Sequence, residues 1–341
     1  MSILLTGGNG YIGSHVAVAL GLAGRKIVIL DNGSNSSINT ISKIETINRA
    51  HVPYVFGDIR DMKLITKTLR EHDVTAVIHL AGLKSVAESI EKPLDYYTNN
   101  VEGTISLLKA MNSQGIRNLV FSSSATVYGT PRQLPLDETH PTSATNPYGR
   151  TKIQSEEILA DLARAQPEWR IACLRYFNPV GAHQSGTIGE SPKGIPNNLM
   201  PIITQVALGQ KSQLDIFGTD YPTPDGTGIR DYIHVMDLAE GHAAALQFLE
   251  SHAGWHAFNL GTGKGHTVLE LLESFEKASG ISIPRKISPR RPGDVAKCYA
   301  NVDKANRTLG WAANRSLHEM CSSTWNFCLN FPRTTTCTSP H

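Results

Sequence analysis

Short apolar runs alternate along the chain with longer stretches in which apolar residues recur at helical spacing. Ile3-Leu4-Leu5 is the first run, and Ile12, Val16, Leu20 and Ala23 then share one helical face before Gly24. Such a face predicts a helix packed on a core, and the glycine a helix stop. Lys26–Leu30, Val52–Phe56, Ala76–Leu80, Leu119–Phe121 and Ile171–Leu174 repeat the short run, with helical stretches between them. Continuous apolar strands alternating with helices predict an α/β fold, a doubly wound, Rossmann-like parallel sheet covered on both faces. The pattern changes near residue 180, where the Gly/Pro-rich stretch Gly181–Pro201 begins. The expected organisation is a first domain over 1–180 and a smaller C-terminal α/β domain over 181–341. Residues 232–260, with a helix over Val235–Leu249, are expected to return to the first domain.

Composition narrows the function classes. The 341 residues carry 32 Lys and Arg against 30 Asp and Glu, a net charge of +2. So small a charge argues against nucleic-acid and polybasic membrane partners. No apolar run reaches the roughly 18 residues of a membrane helix, and Met1–Leu5 lacks the basic start of a secretory signal. The cysteines, at 173, 298, 321, 328 and 337, are odd in number and form no CxxC pair. Neither a disulfide framework nor a zinc site is expected, and a reducing, cytoplasmic setting is. The 13 histidines include no HExxH, so no metal is expected.

The candidate chemistry begins directly after the first strand. Thr6-Gly7-Gly8-Asn9-Gly10-Tyr11-Ile12-Gly13 joins that strand to the first helix. Glycines there permit a tight turn and close approach of backbone to a pyrophosphate at the helix N-terminus. Asp31 ends the second strand 18 residues beyond Gly13, near the distance at which a carboxylate meets an adenosine ribose. An acid there favours NAD over NADP. Asp58-Ile59 and Leu80 to Lys84 fall at the ends of the third and fourth strands, the edge at which such sheets bind ligands. Phe121 to Gly129 follows the fifth strand, and Tyr148 and Lys152 stand four apart on one helical face. A tyrosine pKa of about 10 must fall about three units to give a base at neutral pH, about 4 kcal/mol. One cation about 5 Å away supplies roughly 3 kcal/mol at an effective dielectric of 20. Lysine and an oxidised nicotinamide together are sufficient, and Ser124 can hydrogen-bond the same substrate oxygen.

The glycine loop with Ser124, Tyr148 and Lys152 resembles the extended short-chain dehydrogenases, and within them the UDP-galactose 4-epimerases. The segments that carry the resemblance are Gly82-Leu83-Lys84, Tyr96-Tyr97-x-Asn99-Asn100, Phe121–Gly129, Arg175–His183, Gly194-Ile195-Pro196-Asn197-Asn198-Leu199 and Gly226–Asp237. It covers about residues 2–330 and fades in the tail, where Thr334–Thr336 reads as loose. The resemblance implies tightly bound NAD on the first domain, with contacts from Gly7, Gly10, Tyr11, Ile12, Gly13, Asp31, Asn32, Asn35, Ser36, Asp58 and Ile59. Leu80, Ala81, Gly82, Lys84, Asn99, Ser122, Tyr148, Lys152 and Phe177 complete that set. It implies that Ser124, Tyr148 and Lys152 are catalytic, and that a UDP-sugar passes through a transient 4-keto intermediate. On the second domain it implies nucleotide contacts from Asn178, Asn198 and Leu199, uracil against Ile216 and Phe217, pyrophosphate on Arg230 and Arg291, and ribose on Asp294. These two arginines read as glycine-flanked loop residues. A homodimer is implied through helices before and after Ser124, one of them with a stripe of Val101, Ile105 and Leu108.

Cys298, four residues past Asp294, stands where the resemblance places the border of the sugar's C2 substituent. A small residue there predicts interconversion of UDP-GlcNAc and UDP-GalNAc beside UDP-glucose and UDP-galactose; a shift to Tyr299 reverses the expectation. UDP-GlcNAc epimerisation as the main activity, or another NAD-dependent nucleotide-sugar enzyme, is the alternative. A 4,6-dehydratase needs an acid after Ser124, where Ala125 and Thr126 stand instead, and neither exchanges a proton at neutral pH. The same absence argues against a UDP-glucuronate decarboxylase. A plain alcohol dehydrogenase would release reduced cofactor, and a non-enzymatic NAD-binding scaffold has no need of the Ser, Tyr and Lys set.

Overall fold

Ile3 and Leu5 pack on one face of the first strand while Leu4 packs on the other, and all three are buried. This alternation, applied to every strand of a sheet with helices on both sides, builds the first part of the molecule. The computed structural model describes all residues except 193, 195, 197, 292 and 331–341. The expected loose tail at Thr334–Thr336, and Ile195 and Asn197 of the resembling segment, lie outside the described residues.

The first part runs β1 (Ser2–Thr6), α1 (Tyr11–Leu22), β2 (Ile27–Asp31), α2 (Asn39–Asn48), β3 (Tyr54–Phe56), α3 (Met62–Glu71), β4 (Val74–His79), α4 (Val86–Glu91), α5 (Pro93–Tyr96), α6 (Gly103–Ser113), β5 (Asn118–Ser124), α7 (Pro147–Ala165) and β6 (Arg170–Tyr176). The second runs β7 (Asn178–Val180), α8 (Leu199–Ala207), β8 (Leu214–Phe217), β9 (Ile229–His234), α9 (Val235–Leu249), β10 (Gly254–Leu260), β11 (Gly265–Thr267), α10 (Val268–Ser279), β12 (Arg285–Ser288), β13 (Lys297–Cys298), α11 (Asp303–Leu309) and α12 (Leu317–Asn330). Seven strands form a sheet in the order β3-β2-β1-β4-β5-β6-β10, parallel throughout. The strand order reverses between β1 and β4, and ligands of such sheets bind at the C-terminal edge of that switch point. One core cluster joins the sheet to α1 and α9, and a second joins its other face to α3, α6 and α7.

Val235–Leu249 and β10 join the large sheet and its helices, but Tyr232–His234 belong to β9. That strand sits among β11, β13 and β7 in a small mixed sheet. Arg230 is therefore a strand residue rather than a loop residue. Polar Arg230 and Asp231 interrupt the apolar run that marks a strand in the sequence. A third core cluster, with Ile203, Ile216, Leu272 and Phe275, fills the second part. In the dimer stripe, Leu108 is buried in the monomer, whereas Val101 and Ile105 are half-buried.

Candidate active site

The glycines that join β1 to α1 are required by contact as well as by conformation. Gly7 has φ +70°, and a Cβ on it would lie 2.6 Å from the Ala81 nitrogen on the loop after β4. A Cβ on Gly13 would lie 2.3 Å from the Gly7 oxygen. A Cβ on Gly10, by contrast, would meet only that oxygen, at 3.4 Å, so its face of the loop is open. The N-terminus of α1, at Tyr11 and Ile12, has neither a side-chain cap nor an acidic residue in its first turn, leaving its N–H groups for an anion. Tyr11 donates its phenol to the Gly181 carbonyl at 2.6 Å, tying this loop to the start of the second part.

Asp31 ends β2 and accepts from Asn9 N at 3.1 Å, Gly33 N at 2.8 Å and Ser36 Oγ at 2.9 Å. Asn35 lies in the same loop, and Asn32 Nδ2 reaches Asp58 Oδ2 at 3.4 Å. Arg60 grips both Asp58 oxygens, at 2.8 Å each, and holds its pKa at about 2. Ile59 is buried beside it, where a Cβ on Gly103 would lie 2.7 Å from its methyl. After β4, Leu80, Ala81 and Gly82 run past Lys152, and a Cβ on Gly82 would stand 3.7 Å from its Nζ. Asn100, in the π-helical turn Tyr97–Glu102, clamps Leu83 through both backbone groups and Thr151 of α7, and accepts from Asn99. Such wide turns recur at functional sites.

Strand β5 extends beyond the predicted Leu119–Phe121 and carries Ser122–Ser124 to the same edge. Asn146 caps α7, accepting from Gly149 N at 2.9 Å, and Pro147 starts the helix. A Cβ on Gly149 would lie 3.0 Å from the Thr126 carbonyl, so glycine lets α7 pack on the turn after Ser124. Tyr148 and Lys152 are thereby brought to the end of β5. Lys152 Nζ donates to the Ser122 carbonyl at 2.6 Å and lies 6.0 Å from the Tyr148 ring centre. Thr126 donates to Ser124 Oγ through its hydroxyl at 3.0 Å and its N–H at 3.2 Å. Ser124 keeps its own proton to give, and its hydrogen bond to Tyr148 lowers the phenol pKa.

Burial acts against that lowering. It raises the Tyr148 pKa above the ordinary value and lowers that of Lys152 to about 8, while the Glu156 charge pushes Lys152 back up. These side chains by themselves thus leave the Tyr148 pKa raised. Low-dielectric surroundings penalise both charged forms, and the ammonium is directed at a backbone carbonyl.

The nucleotide-side residues converge on one cleft of about 190 Å³. Asn178, Asn198, Leu199, Ile216, Phe217, Arg230, Arg291 and Asp294 all line it. Arg291 lies 4.9 Å from the Phe217 ring centre and pairs with Asp294 at 2.9 Å. Cys298 is not among the lining residues. It packs with Phe177 and Val127 beside the Ser124 turn, and burial raises its thiol pKa to about 11. Tyr299 points the other way, its ring 3.2 Å from where a Cβ on Gly265 would stand. Buried Asp231 pins this segment, accepting from Ala300 N and from Thr262 and Gly263.

Sequence reasoning missed four residues here. Thr126 orients Ser124, buried Glu156 stands four residues past Lys152, and Glu190 bonds Lys84. The fourth, buried Tyr221, lines the cleft with a hydroxyl that has no hydrogen-bond partner among the described residues. Only Glu156 carried a signal, its i,i+4 spacing from Lys152. Among the described residues no helix is long and apolar enough to cross a membrane, and no cluster of metal-ligating side chains occurs.

The family profile described as GDP-mannose 4,6 dehydratase matches residues 4–324. A UDP-glucose 4-epimerase of Bacillus subtilis is 53% identical over 96% of each chain. A UDP-glucose 4-epimerase from Stenotrophomonas maltophila, crystallised with NAD and formylated UDP-arabinopyranose, superposes with TM-score 0.96 at 49% identity, covering 98% of this chain and 99% of that one. One from Bifidobacterium longum, in complex with NAD+ and UDP, gives 0.94 at 47% identity, covering 97% and 99%.

Proposed function

The chain belongs to the UDP-glucose 4-epimerases of the extended short-chain dehydrogenase/reductase superfamily, and from this premise we propose the roles of its residues. It is an NAD-dependent UDP-hexose 4-epimerase that interconverts UDP-glucose and UDP-galactose. The matching profile takes its description from a dehydratase, but Ala125 and Thr126 follow Ser124 here, and neither can supply the acid that elimination requires. The observation that carries the residue roles is the meeting of Ser124, Tyr148 and Lys152 at the end of β5, beside the glycine loop.

The residues present fit the cofactor. The α1 N-terminus is uncapped, the face of Gly10 is open, and the buried Oδ1 of Asn9 has no partner among the described residues. Bound there, NAD supplies the acceptor and donor of the C4 hydrogen as the sugar passes through its 4-keto form. Asp31 accepts the adenosine ribose hydroxyls and disfavours a 2′-phosphate. Tyr148 takes the proton of the sugar 4-hydroxyl and returns it, while Ser124 donates to the same oxygen. Lys152 holds the nicotinamide ribose and favours the phenolate. Because burial raises the phenol pKa, the positive charges around Tyr148 must outweigh its desolvation in the working complex. Arg230 and Arg291 grip the pyrophosphate, which suits bidentate guanidinium donors. Phe217 and Ile216 lie against uracil, Asp294 takes a ribose hydroxyl, and Asn178, Asn198 and Leu199 bind the nucleotide. Firm hold on UDP with loose hold on the hexose lets the 4-keto sugar turn over and receive hydrogen on its other face.

The substrate range extends to UDP-GlcNAc and UDP-GalNAc. Cys298, in β13, packs against the cluster that holds Phe177, while the ring of Tyr299, just past the strand, stands beside Gly265. A thiol in that position leaves room that a phenol would fill. The test follows UDP-galactose and UDP-GalNAc separately by NMR with wild type and Cys298→Tyr. Wild type converts both, and the substitution slows the N-acetyl pair about tenfold or more relative to the plain pair, the scale of a steric discrimination. Undiminished N-acetyl turnover would refute the steric account.

Two further readings belong to this proposal. The enzyme is a homodimer, paired through α6 and α7, with half-buried Val101 and Ile105 in the contact. It works in the cytoplasm, where the free thiols of Cys173, Cys298 and Cys321 remain reduced.

A further inference from the structure

Strands β8 and β12 form a two-stranded parallel sheet of their own, with Phe217 opposite Ser288. Arg285, Lys286 and Ile287 of β12 are exposed, so the pair has little packed against its outer strand. Beyond the end of β12 the chain supplies Arg291 and Asp294 to the nucleotide cleft. Two successive arginines tie that segment to the end of β8. Arg291 lies 4.9 Å from the Phe217 ring centre, and Arg290 lies 4.1 Å from that of Tyr221. Arg290 also grips Asp220, through Nε to Oδ1 at 2.7 Å and through Nη2 to the backbone carbonyl at 2.6 Å. Gly218 stands between the two aromatic residues in the chain. It has φ +78°, and a Cβ on it would lie 2.7 Å from the Tyr221 ring and 2.8 Å from Arg290 Cγ. The stack therefore closes over a position that suits only glycine. The loop that presents Asp220 and Tyr221 is itself closed, with Tyr221 N donating to the Gly226 carbonyl at 2.9 Å. Phe217, Tyr221, Arg291 and Asp294 line the cleft, and Arg290 is not among the lining residues. Arg290 thus stands behind the wall, its charge met by Asp220 and its plane by Tyr221.

An exposed ion pair and an exposed cation–π stack are each weak contacts, on the order of a factor of two to five. Their place in the chain gives them effect. Arg290 directly precedes Arg291, so a guanidinium fixed on the Asp220 loop fixes the backbone from which Arg291 and Asp294 reach a ligand. Order present before binding is order that the ligand does not have to impose. A lysine can lie over the Tyr221 ring, but it lacks the planar fork that meets both the Asp220 carboxylate and the Asp220 carbonyl.

We propose that Arg290 is a positioning residue of the nucleotide-sugar site: latched on Tyr221 and Asp220, it holds the segment that carries Arg291 and Asp294 against the cleft. The proposal rests on the UDP-sugar reading above. The test uses the NAD-loaded enzyme as wild type, Arg290→Ala, Arg290→Lys, Arg291→Ala and the double alanine variant. UDP binding is measured by calorimetry, and KM and kcat with UDP-galactose by NMR. Arg290→Ala weakens UDP binding and raises KM about tenfold, the combined scale of the stack and the ion pair, while kcat stays within about twofold. Arg290→Lys keeps the charge and still loses about threefold. Because Arg290 acts through the Arg291 segment, removing it from the Arg291→Ala variant costs less than about threefold more. UDP affinity of Arg290→Ala within about twofold of wild type, full affinity in Arg290→Lys, losses that multiply in the double variant, or a fall in kcat with KM unmoved would each overturn the proposal. The second and third of these would make Arg290 an attracting charge rather than a latch. A wild type that fails to bind UDP would refute the UDP-sugar reading itself, and this proposal with it.

Discussion

Replacing Glu156 by glutamine perturbs stability and the active-site lysine together. Glu156 lies on α7 and meets Arg175 of β6 through contacts of 2.6, 3.1 and 3.3 Å. The two side chains are 6% and 4% exposed. Ser123, between the two strand-end serines of the site, donates its hydroxyl to the same carboxylate. Breaking a buried pair from one side costs about 3–5 kcal/mol, because the remaining charge is left uncompensated. Glutamine can keep the Ser123 bond, and Arg175 keeps Tyr128 Oη and the Glu138 carbonyl, each at 3.1 Å. The cost therefore falls at the lower end, about 3 kcal/mol. The second effect concerns Lys152, whose pKa of about 8 is held up by the Glu156 charge. Without that charge the pKa drops and the ammonium loses its proton at lower pH. The alkaline limb of kcat then moves towards neutrality. Urea unfolding followed by fluorescence and circular dichroism, with coincident transitions, gives the first quantity. The pH profile of kcat at saturating UDP-galactose gives the second. A loss below about 1 kcal/mol, or an alkaline limb that stays in place, would refute the reasoning.

Tyr148→Phe keeps NAD and UDP binding by calorimetry but lowers turnover by about two to four powers of ten, the range of a lost general acid–base; retained activity would remove the phenol from the mechanism. Asp31→Ala narrows the preference for NAD over NADP in a cofactor-binding titration, and an unchanged preference would show that the carboxylate does not read the ribose. Stability falls on acidification between about pH 6.5 and 4, measured by urea midpoints. Burial lowers the folded pKa of His15 and His79 to about 3 and of His234 and His242 to about 4. A folded pKa below the unfolded one contributes stability that is present above about pH 6.5 and lost as pH falls towards the folded value. A flat midpoint across that range would refute the buried, neutral state of these rings.

The doubly wound sheet was legible because its inner strands, such as β1 and β2, are buried on both faces and write short apolar runs. The reading stopped where a strand turns polar without leaving the sheet. Ser122–Ser124 continue β5 because Ser123 finds Glu156 and the Ser122 carbonyl finds Lys152, partners that no local window contains. Arg230 looked like a loop residue for the same reason. Its strand pairs with β11 and β13 in a short sheet, and Gly228, where a Cβ would stand 3.2 Å from the guanidinium, lets it fold back to donate to the Ile229 carbonyl at 2.8 Å. The glycine loop and the Tyr and Lys spacing could be read because their geometry is local. Glu190 could not, since Lys84 lies 106 residues away in the chain.

The central claim is that the hydrogen removed from C4 returns to the same carbon. UDP-galactose deuterated at C4 is incubated with the NAD-loaded enzyme in ordinary water, and both epimers are followed by NMR. The account predicts deuterium retained at C4 of UDP-glucose and of recovered UDP-galactose alike. Deuterium lost to the solvent, with protium at C4 of the product, would contradict it.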